Sequence, residues 1–155
     1  MTQRCILDEN VVILAQRGQN ERGERDLTCQ ELITRIIRIC HSIVFDPILR
    51  EKYLRQLNRI RTGETQDDFR VLSTIVNASR VEGKVIMRPV ASPFAEEVSI
   101  PQGSQDDVEL VRLAVETRAI LVTADSPLRN DLNSCGVQEA YDLQILSPDE
   151  ALKNL

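Results

Sequence analysis

Short apolar runs alternate with longer segments of helical spacing along this chain, and this alternation limits its fold more than any other feature. The run at residues 119–122 is Ala-Ile-Leu-Val between polar residues, which is typical of a strand covered on both faces. Similar runs predict strands at residues 5–7, 43–45, 84–87 and 137–141. Strands that alternate with helices indicate an α/β fold. We therefore expect a three-layer α/β/α sandwich with a mainly parallel central sheet.

The segments between these runs carry helix signals. Thr28 with Glu31 three residues later is a capping-box pattern, and helical apolar spacing then continues to about residue 41. Asp46 before Pro47 predicts a capping side chain at the start of a helix that reaches about residue 61. The polar stretch 17–26 is predicted to be a loop. Further helices are predicted over residues 65–82 and 104–118, and from residues 126 and 147.

Chain length and composition narrow the class of protein. At 155 residues, we expect residues 1–155 to form one domain with one core. The content of 42% hydrophobic and 28% charged residues excludes a disordered chain. The longest apolar run, residues 11–15, is too short for a membrane span, and the first ten residues lack the apolar stretch of a signal peptide. We therefore expect a cytoplasmic protein without a membrane partner.

The charge balance limits how nucleic acid could bind. A net charge of −5 argues against a general electrostatic binder, and 3% aromatic residues argue against base stacking. Positive charge is local, because residues 35–61 carry seven basic and two acidic side chains, a net of +5. Within them, Lys52, Arg55 and Arg59 share one stripe of the predicted helix. This stripe is either an RNA-phosphate contact or a solvated helix face.

Two aspartates directly follow predicted strands. Asp8 ends the first strand and Asp125 follows the strand at 119–122. Parallel sheets place their sites at the carboxyl ends of strands, near a topological switch point. If these strands are neighbours, the two carboxylates share one crevice. The alternative is that Asp8 forms a turn and that Asp125 caps the next helix.

A third carboxylate comes from the predicted helix at 104–118. Its apolar face, which includes Leu110 and Ala114, is centred near Asp107, so that Asp107 points inward. Alternatively, Asp107 completes a capping box with Ser104. Close carboxylates raise one another's pKa, so such a cluster is stable at neutral pH mainly with a cation.

The available ligands indicate which cation fits. The four cysteines form no C-x-x-C pair and the chain has a single histidine, which argues against zinc and for reduced thiols. Oxygen ligands alone indicate Mg²⁺ or Mn²⁺, and such an ion suits phosphate substrates.

A fourth candidate acid, Glu51, flanks the buried stripe of the helix predicted at 47–61. Its alternative interpretation is an ion pair with Arg55 one turn later, worth about 0.5 kcal/mol. Asp46 is a rival for the same role, but it is better explained as the helix cap before Pro47.

Three ordered motifs resemble the PIN-domain family over nearly the whole chain. They are Ile-Leu-Asp-Glu-Asn at residues 6–10, Asp-Val-Glu-Leu-Val-Arg-Leu-Ala at residues 107–114, and Leu-Val-Thr-Ala-Asp at residues 121–125. The resemblance implies an α/β/α fold whose small prokaryotic members include VapC-type toxins and other metal-dependent endoribonucleases. It also implies a protein antitoxin and a homodimer.

The resemblance also assigns site residues. Glu9 stands where the family often has Thr, and it either adds a metal ligand or disturbs the site. The positions that match the family's motifs are Asp8, Asn10, Glu51, Asp107, Thr123 and Asp125.

From these observations we expect a metal-dependent endoribonuclease that cleaves phosphodiester bonds of single-stranded RNA. Asp8, Asp107 and Asp125 would hold Mg²⁺ or Mn²⁺, while Glu51 positions the metal or the water. One alternative is a catalytically inactive PIN-like module that binds RNA or protein. Another alternative is a receiver-like phosphotransfer domain. Such a domain would have a Lys in the region of the last strand, and residues 137–141 contain no Lys.

Overall fold

Five parallel strands form the central sheet of the protein, seen here in a computed structural model. The structure describes residues 2–39, 41–60, 74–75, 78, 80, 83–89 and 105–155. Every pair of neighbouring strands is parallel, and the order across the sheet is β3-β2-β1-β4-β5. The strands are β1 (Arg4–Leu7), β2 (Ser42–Phe45), β3 (Val85–Met87), β4 (Ile120–Val122) and β5 (Ile145–Leu146).

Helices lie around this sheet, which confirms the predicted three-layer α/β/α fold. In the described ranges, no helix is long and apolar enough to cross a membrane. The helices of these ranges are α1 (Glu9–Arg17), α2 (Thr28–Arg38), α3 (Pro47–Ile60), α4 (Gln105–Thr117), α5 (Ser126–Ser134), α6 (Val137–Tyr141) and α7 (Pro148–Asn154).

The strand order creates one topological switch point. From the central strand β1 the chain moves outward through β2 to β3, then returns to add β4 and β5 on the other side of β1. Leu7 pairs with Val122, and the amide of Asp8 donates to the carbonyl of Val122 at 2.9 Å. The carboxyl ends of β1 and β4 therefore meet where the strand order reverses, which is where α/β sheets place their ligands.

The core consists of the continuous apolar runs of the central strands. Leu7, Val44 and Leu121 are fully buried, as expected of strands with helices on both faces. Aliphatic side chains from α1, α2 and α4 cover them, for example Val11, Ile33 and Val111. This packing holds the strand ends in place beneath the site.

One strand prediction is wrong. Residues 137–141 form the helix α6 rather than a strand, and the fifth strand is Ile145–Leu146. Gly136 and Asp142 on either side have positive φ angles of 80° and 52°, which enclose a single helical turn. Only Val137 of this turn is buried, so the segment offers one apolar contact and not the two covered faces of an inner strand.

Several local predictions can be compared with the structure. The Asp46 cap is confirmed, because its Oδ1 accepts from the amide of Leu49 at 2.8 Å. The capping box of Thr28 does not form: α2 has no side-chain cap at Leu27, and Asp26 instead accepts from the amide of Thr28 at 2.8 Å. Ser104 lies outside the described residues. So does most of the helix predicted at 65–82, of which Thr74, Ile75 and Ala78 are described and helical.

We expect Asp46→Ala to destabilise the fold by about 1–2 kcal/mol, since it removes a buried helix cap. Asp46 is only 3% exposed, so that water cannot replace the lost acceptor for the amide of Leu49. Urea unfolding would measure the change. Asp46→Asn keeps a side-chain oxygen and should lose less than half as much, whereas equal losses in both variants would contradict the role of the cap.

Candidate active site at the carboxyl edge of the sheet

Asp8 is a nearly buried carboxylate directly after β1, with 7% of its surface exposed. Its Oδ1 accepts from the amide of Glu9 at 2.7 Å, so that it caps α1. Its Oδ2 accepts from the hydroxyl of Thr123 at 2.7 Å and from the side-chain amide of Asn10 at 3.2 Å. These three hydrogen bonds hold both oxygens of Asp8 in one orientation.

Thr123 and Asn10 join the two strand ends to each other. The hydroxyl of Thr123, which is fully buried, accepts from the amide of Asp125 at 3.2 Å and from Asn10 Nδ2 at 3.3 Å. Asn10 Oδ1 in turn accepts from the amide of Ala124 at 3.1 Å. The loop after β4 is thus bonded to the beginning of α1, with Asp8 at the centre.

Burial and nearby charge make Asp8 unusually basic. Removal from water is the main cause that raises its pKa to about 6, and the negative charges of Asp107 and Glu9 add to this. The hydrogen bonds from Thr123 and from the amide of Glu9 oppose the shift. Asp107, from the first turn of α4, is therefore close enough to interact electrostatically with Asp8.

Tyr53 of α3 supports the same strand end. Its hydroxyl donates to the carbonyl of Leu7, and its ring packs edge-to-face against Phe45 with centroids 6.3 Å apart. Burial raises the pKa of Tyr53 well above its usual value, and the charges of Asp8, Asp46 and Glu9 raise it further. The sequence pattern does not reveal this contact between Tyr53 and β1.

The other two predicted acids have different partners. Asp125 Oδ1 accepts from the amide of Leu128 at 3.0 Å and caps α5, and Asp125 is not among the charges that shift the pKa of Asp8. The side chain of Glu51 is 75% exposed and lies 3.7 Å from the guanidinium of Arg55. Asp8 thus interacts electrostatically with Asp107, and Thr123 links it to the backbone of Asp125. Glu51, in contrast, is exposed to solvent.

The predicted basic stripe lies on α3. Arg55 is exposed and forms the ion pair with Glu51, while Lys52 is partly buried. The side chain of Arg59 lies outside the described part of the structure.

Arg129 is a second residue that sequence reasoning missed. From the first turn of α5 its guanidinium donates to the carbonyl of Thr123 at 2.6 Å and to the hydroxyl of Ser126 at 3.0 Å. The available signal was its position four residues after Asp125, since this spacing returns a helical side chain to the face of the cap. Arg129 therefore places a cation beside the end of β4.

The site offers few protein oxygens to a magnesium-type ion, so such an ion would be bound by only one or two carboxylates of the protein. Across the described ranges, no group of three or more His, Cys, Asp or Glu side chains could hold a metal ion. Mg²⁺, however, is commonly bound through one or two carboxylates, with waters and substrate phosphates as the other ligands. Asp8 accepts three hydrogen bonds of the roughly four that a carboxylate can accept. The remaining lone pair of Asp8 and the carboxylate of Asp107 are the oxygens that would hold such an ion.

Comparison with known proteins adds no relative from which a function could be transferred. No family model matches the sequence. A search of the curated proteins finds no match either. The carboxylate site is therefore the observation from which a function has to be inferred.

We expect Thr123→Val to raise the pKa of Asp8 above 6, because the hydrogen bond from the Thr123 hydroxyl is what lowers it most. An NMR titration of the Asp8 carboxyl carbon would measure the shift. Thr123→Ser retains the hydroxyl and should leave this pKa nearly unchanged. If the pKa moved equally in both variants, the hydroxyl would not be the relevant group.

In metal-free buffer, Asp8 should make the protein less stable as the pH rises from about 4 to about 6. The folded state holds the proton up to about pH 6, whereas the unfolded chain releases it near the ordinary value of 3.8. The contribution of Asp8 to the free energy of unfolding is therefore fully present below pH 4, and roughly 3 kcal/mol of it is lost by pH 7. Urea unfolding with a chelator present would show this slope in the wild type and not in Asp8→Asn; equal slopes would contradict the assignment.

Proposed function

We propose that this protein is a Mg²⁺- or Mn²⁺-dependent endoribonuclease of the PIN-domain type, which hydrolyses phosphodiester bonds of single-stranded RNA. One observation carries the proposal: the buried Asp8 lies at the topological switch point and interacts with the charge of Asp107. Two carboxylates that repel each other are unfavourable at neutral pH unless a cation offsets their charge. Perturbed acids of this kind are concentrated at functional sites.

In this proposal each residue has a stated task. Asp8 and Asp107 hold the ion, and Thr123 and Asn10 keep Asp8 oriented through their hydrogen bonds. Asp125 would offer its Oδ2 to the ion, because its Oδ1 accepts the hydrogen bond that caps α5. When bound, a divalent ion polarises a phosphoryl oxygen and lowers the pKa of a water.

In this proposal, positive side chains of α3 hold the RNA backbone. Lys52, Arg55 and Arg59 belong to α3, which begins directly after β2 and whose Tyr53 bonds to the end of β1. Phosphate contacts position RNA without reading its sequence. Glu51 is the least supported of the predicted acids, because it is exposed and paired with Arg55. A protein antitoxin, a homodimer and a cytoplasmic location follow from the resemblance and the composition alone.

A second candidate function is a PIN-like module that binds RNA or protein without cleaving it. It is favoured by the partners of two predicted acids, since Glu51 forms a surface ion pair and Asp125 caps a helix. In that case Asp8 serves only to join β1 to β4. The two functions differ in whether a divalent ion binds at Asp8.

Cleavage of single-stranded RNA with Mn²⁺ present tests the proposal. Asp8→Asn should reduce the rate about 100-fold or more, since a lost metal ligand removes several kcal/mol of transition-state stabilisation. The matched control is Asp142→Asn, an exposed aspartate shortly before β5, at the opposite edge of the sheet. Asn tolerates the left-handed conformation of Asp142, so this variant should cleave like the wild type.

Unchanged cleavage by Asp8→Asn would sink the nuclease assignment. Thermal unfolding with and without Mn²⁺ then distinguishes the metal-dependent nuclease from the non-catalytic module. A metal-binding site predicts that Mn²⁺ raises the Tm of the wild type more than that of Asp8→Asn, and more at pH 7.5 than at pH 5, where Asp8 is protonated. A non-catalytic module predicts no such difference.

A further inference from the structure

A cavity of about 300 Å³ opens beside the carboxylate site. Its walls come from the loop before α2, from the beginning of α2 and from segments that leave three strands. Leu14 belongs to α1 after β1, Arg129 to α5 after β4, and Ser147 directly follows β5. Arg129 bonds to the residue after β4 and Ser147 is the residue after β5, so this part of the cavity lies at the carboxyl edge of the sheet, where Asp8 also lies.

Arg129 connects this cavity to the site. The guanidinium lines the cavity and also donates to the carbonyl of Thr123, whose hydroxyl holds Asp8. A guanidinium has five N–H donors, and the bonds to Thr123 and Ser126 use two of them. A molecule in the cavity can therefore contact Arg129, which is linked to Asp8 through Thr123.

The chemistry of the lining favours a nucleobase over a phosphate. Two cations, Arg22 and Arg129, stand among three acids, Glu21, Asp26 and Asp149, which would repel a phosphate. A nucleobase instead presents both donors and acceptors along its edges. The side chains of Leu14, Cys29 and Pro148 add apolar surface for a ring.

The loop that forms the outer wall has a defined shape. Asn20 Oδ1 accepts from the amides of Arg22 and Glu24, at 2.9 and 3.0 Å. Gln19 and Arg25 form an antiparallel bridge across the base of the loop. The wall is thus held by its own hydrogen bonds before any ligand binds, which reduces the entropy cost of binding.

We propose that this cavity binds one base of the RNA strand whose phosphate is cleaved at Asp8, and that Arg129 contacts this base. The inference rests on the proposed ribonuclease function and adds a specificity-determining subsite to it. Base preference then comes from hydrogen bonds of Arg129 and Arg22 rather than from aromatic stacking, since no aromatic ring is among the described residues that line the cavity.

NMR titration with the four ribonucleoside monophosphates tests the subsite without cleavage. Amide shifts are expected at Gln19, Thr28 and Asp149, in Asp8→Asn as in the wild type. Arg129→Met should weaken binding about tenfold. Because Arg129→Met also loses the bond to Thr123, the exposed Arg22→Ala is the second variant, with a smaller loss of several-fold.

Arg38→Ala is the matched control, since Arg38 is an exposed arginine at the end of α2 that does not line the cavity. It should bind the monophosphates as the wild type does. Inorganic phosphate is the second control. If it produced the same amide shifts, or if the monophosphates produced none at the cavity, the base subsite would be overturned.

Cleavage then distinguishes the subsite from the function on which it rests. RNAs that differ in one base next to the cleaved bond should show a changed ratio of kcat/KM in Arg22→Ala, whereas an equal loss for all bases contradicts the subsite. Nucleotide shifts without any Asp8-dependent cleavage would support the cavity and reject the ribonuclease. Asp8-dependent cleavage without amide shifts or altered base preference would support the ribonuclease and reject the base subsite.

Discussion

The hydrogen bond between Thr123 and Asp8 is the interaction on which the rest of the site depends. It joins the ends of two neighbouring strands and holds a carboxylate that has lost nearly all its contact with water. Without a partner, a buried charge of this kind would cost several kcal/mol. Asn10 and Asp125 bond to this pair, and the amide of Ala124 bonds to Asn10, so the pair lies at the centre of the hydrogen bonds at this strand edge.

The fold was predictable because its signals are local and continuous. The run at 119–122 predicted an inner strand, and Asp46 before Pro47 predicted a cap that the structure confirms. The error at 137–141 has a physical reason: a turn with one buried side chain, Val137, looks like a short strand when only apolar residues are compared. The left-handed conformation of Asp142 leaves no such trace in the pattern.

The site was less predictable, because its decisive contacts depend on tertiary packing. The strand pattern placed Asp8 and Asp125 at neighbouring strand ends, and the resemblance added Thr123. The structure joins Asp8 to Thr123, whose hydroxyl accepts from the amide of Asp125. Whether Glu51 faces the crevice or the solvent depends on the rotation of α3, which Tyr53 sets through the carbonyl of Leu7. Spacing places Arg129 on the cap side of α5, but its bond to the carbonyl of Thr123 also depends on the conformation of its side chain, which spacing does not give.

Asp8 and Thr123 are 115 positions apart in the chain. Since β1 is the central strand and β4 its late neighbour, a ribosome that has made only the first hundred residues carries Asp8 without the strand that completes its surroundings. Long-range pairing of this kind orders the site only after most of the chain has emerged. If the protein cleaves RNA, the growing chain is thus harmless to the message that encodes it until synthesis has passed Thr123.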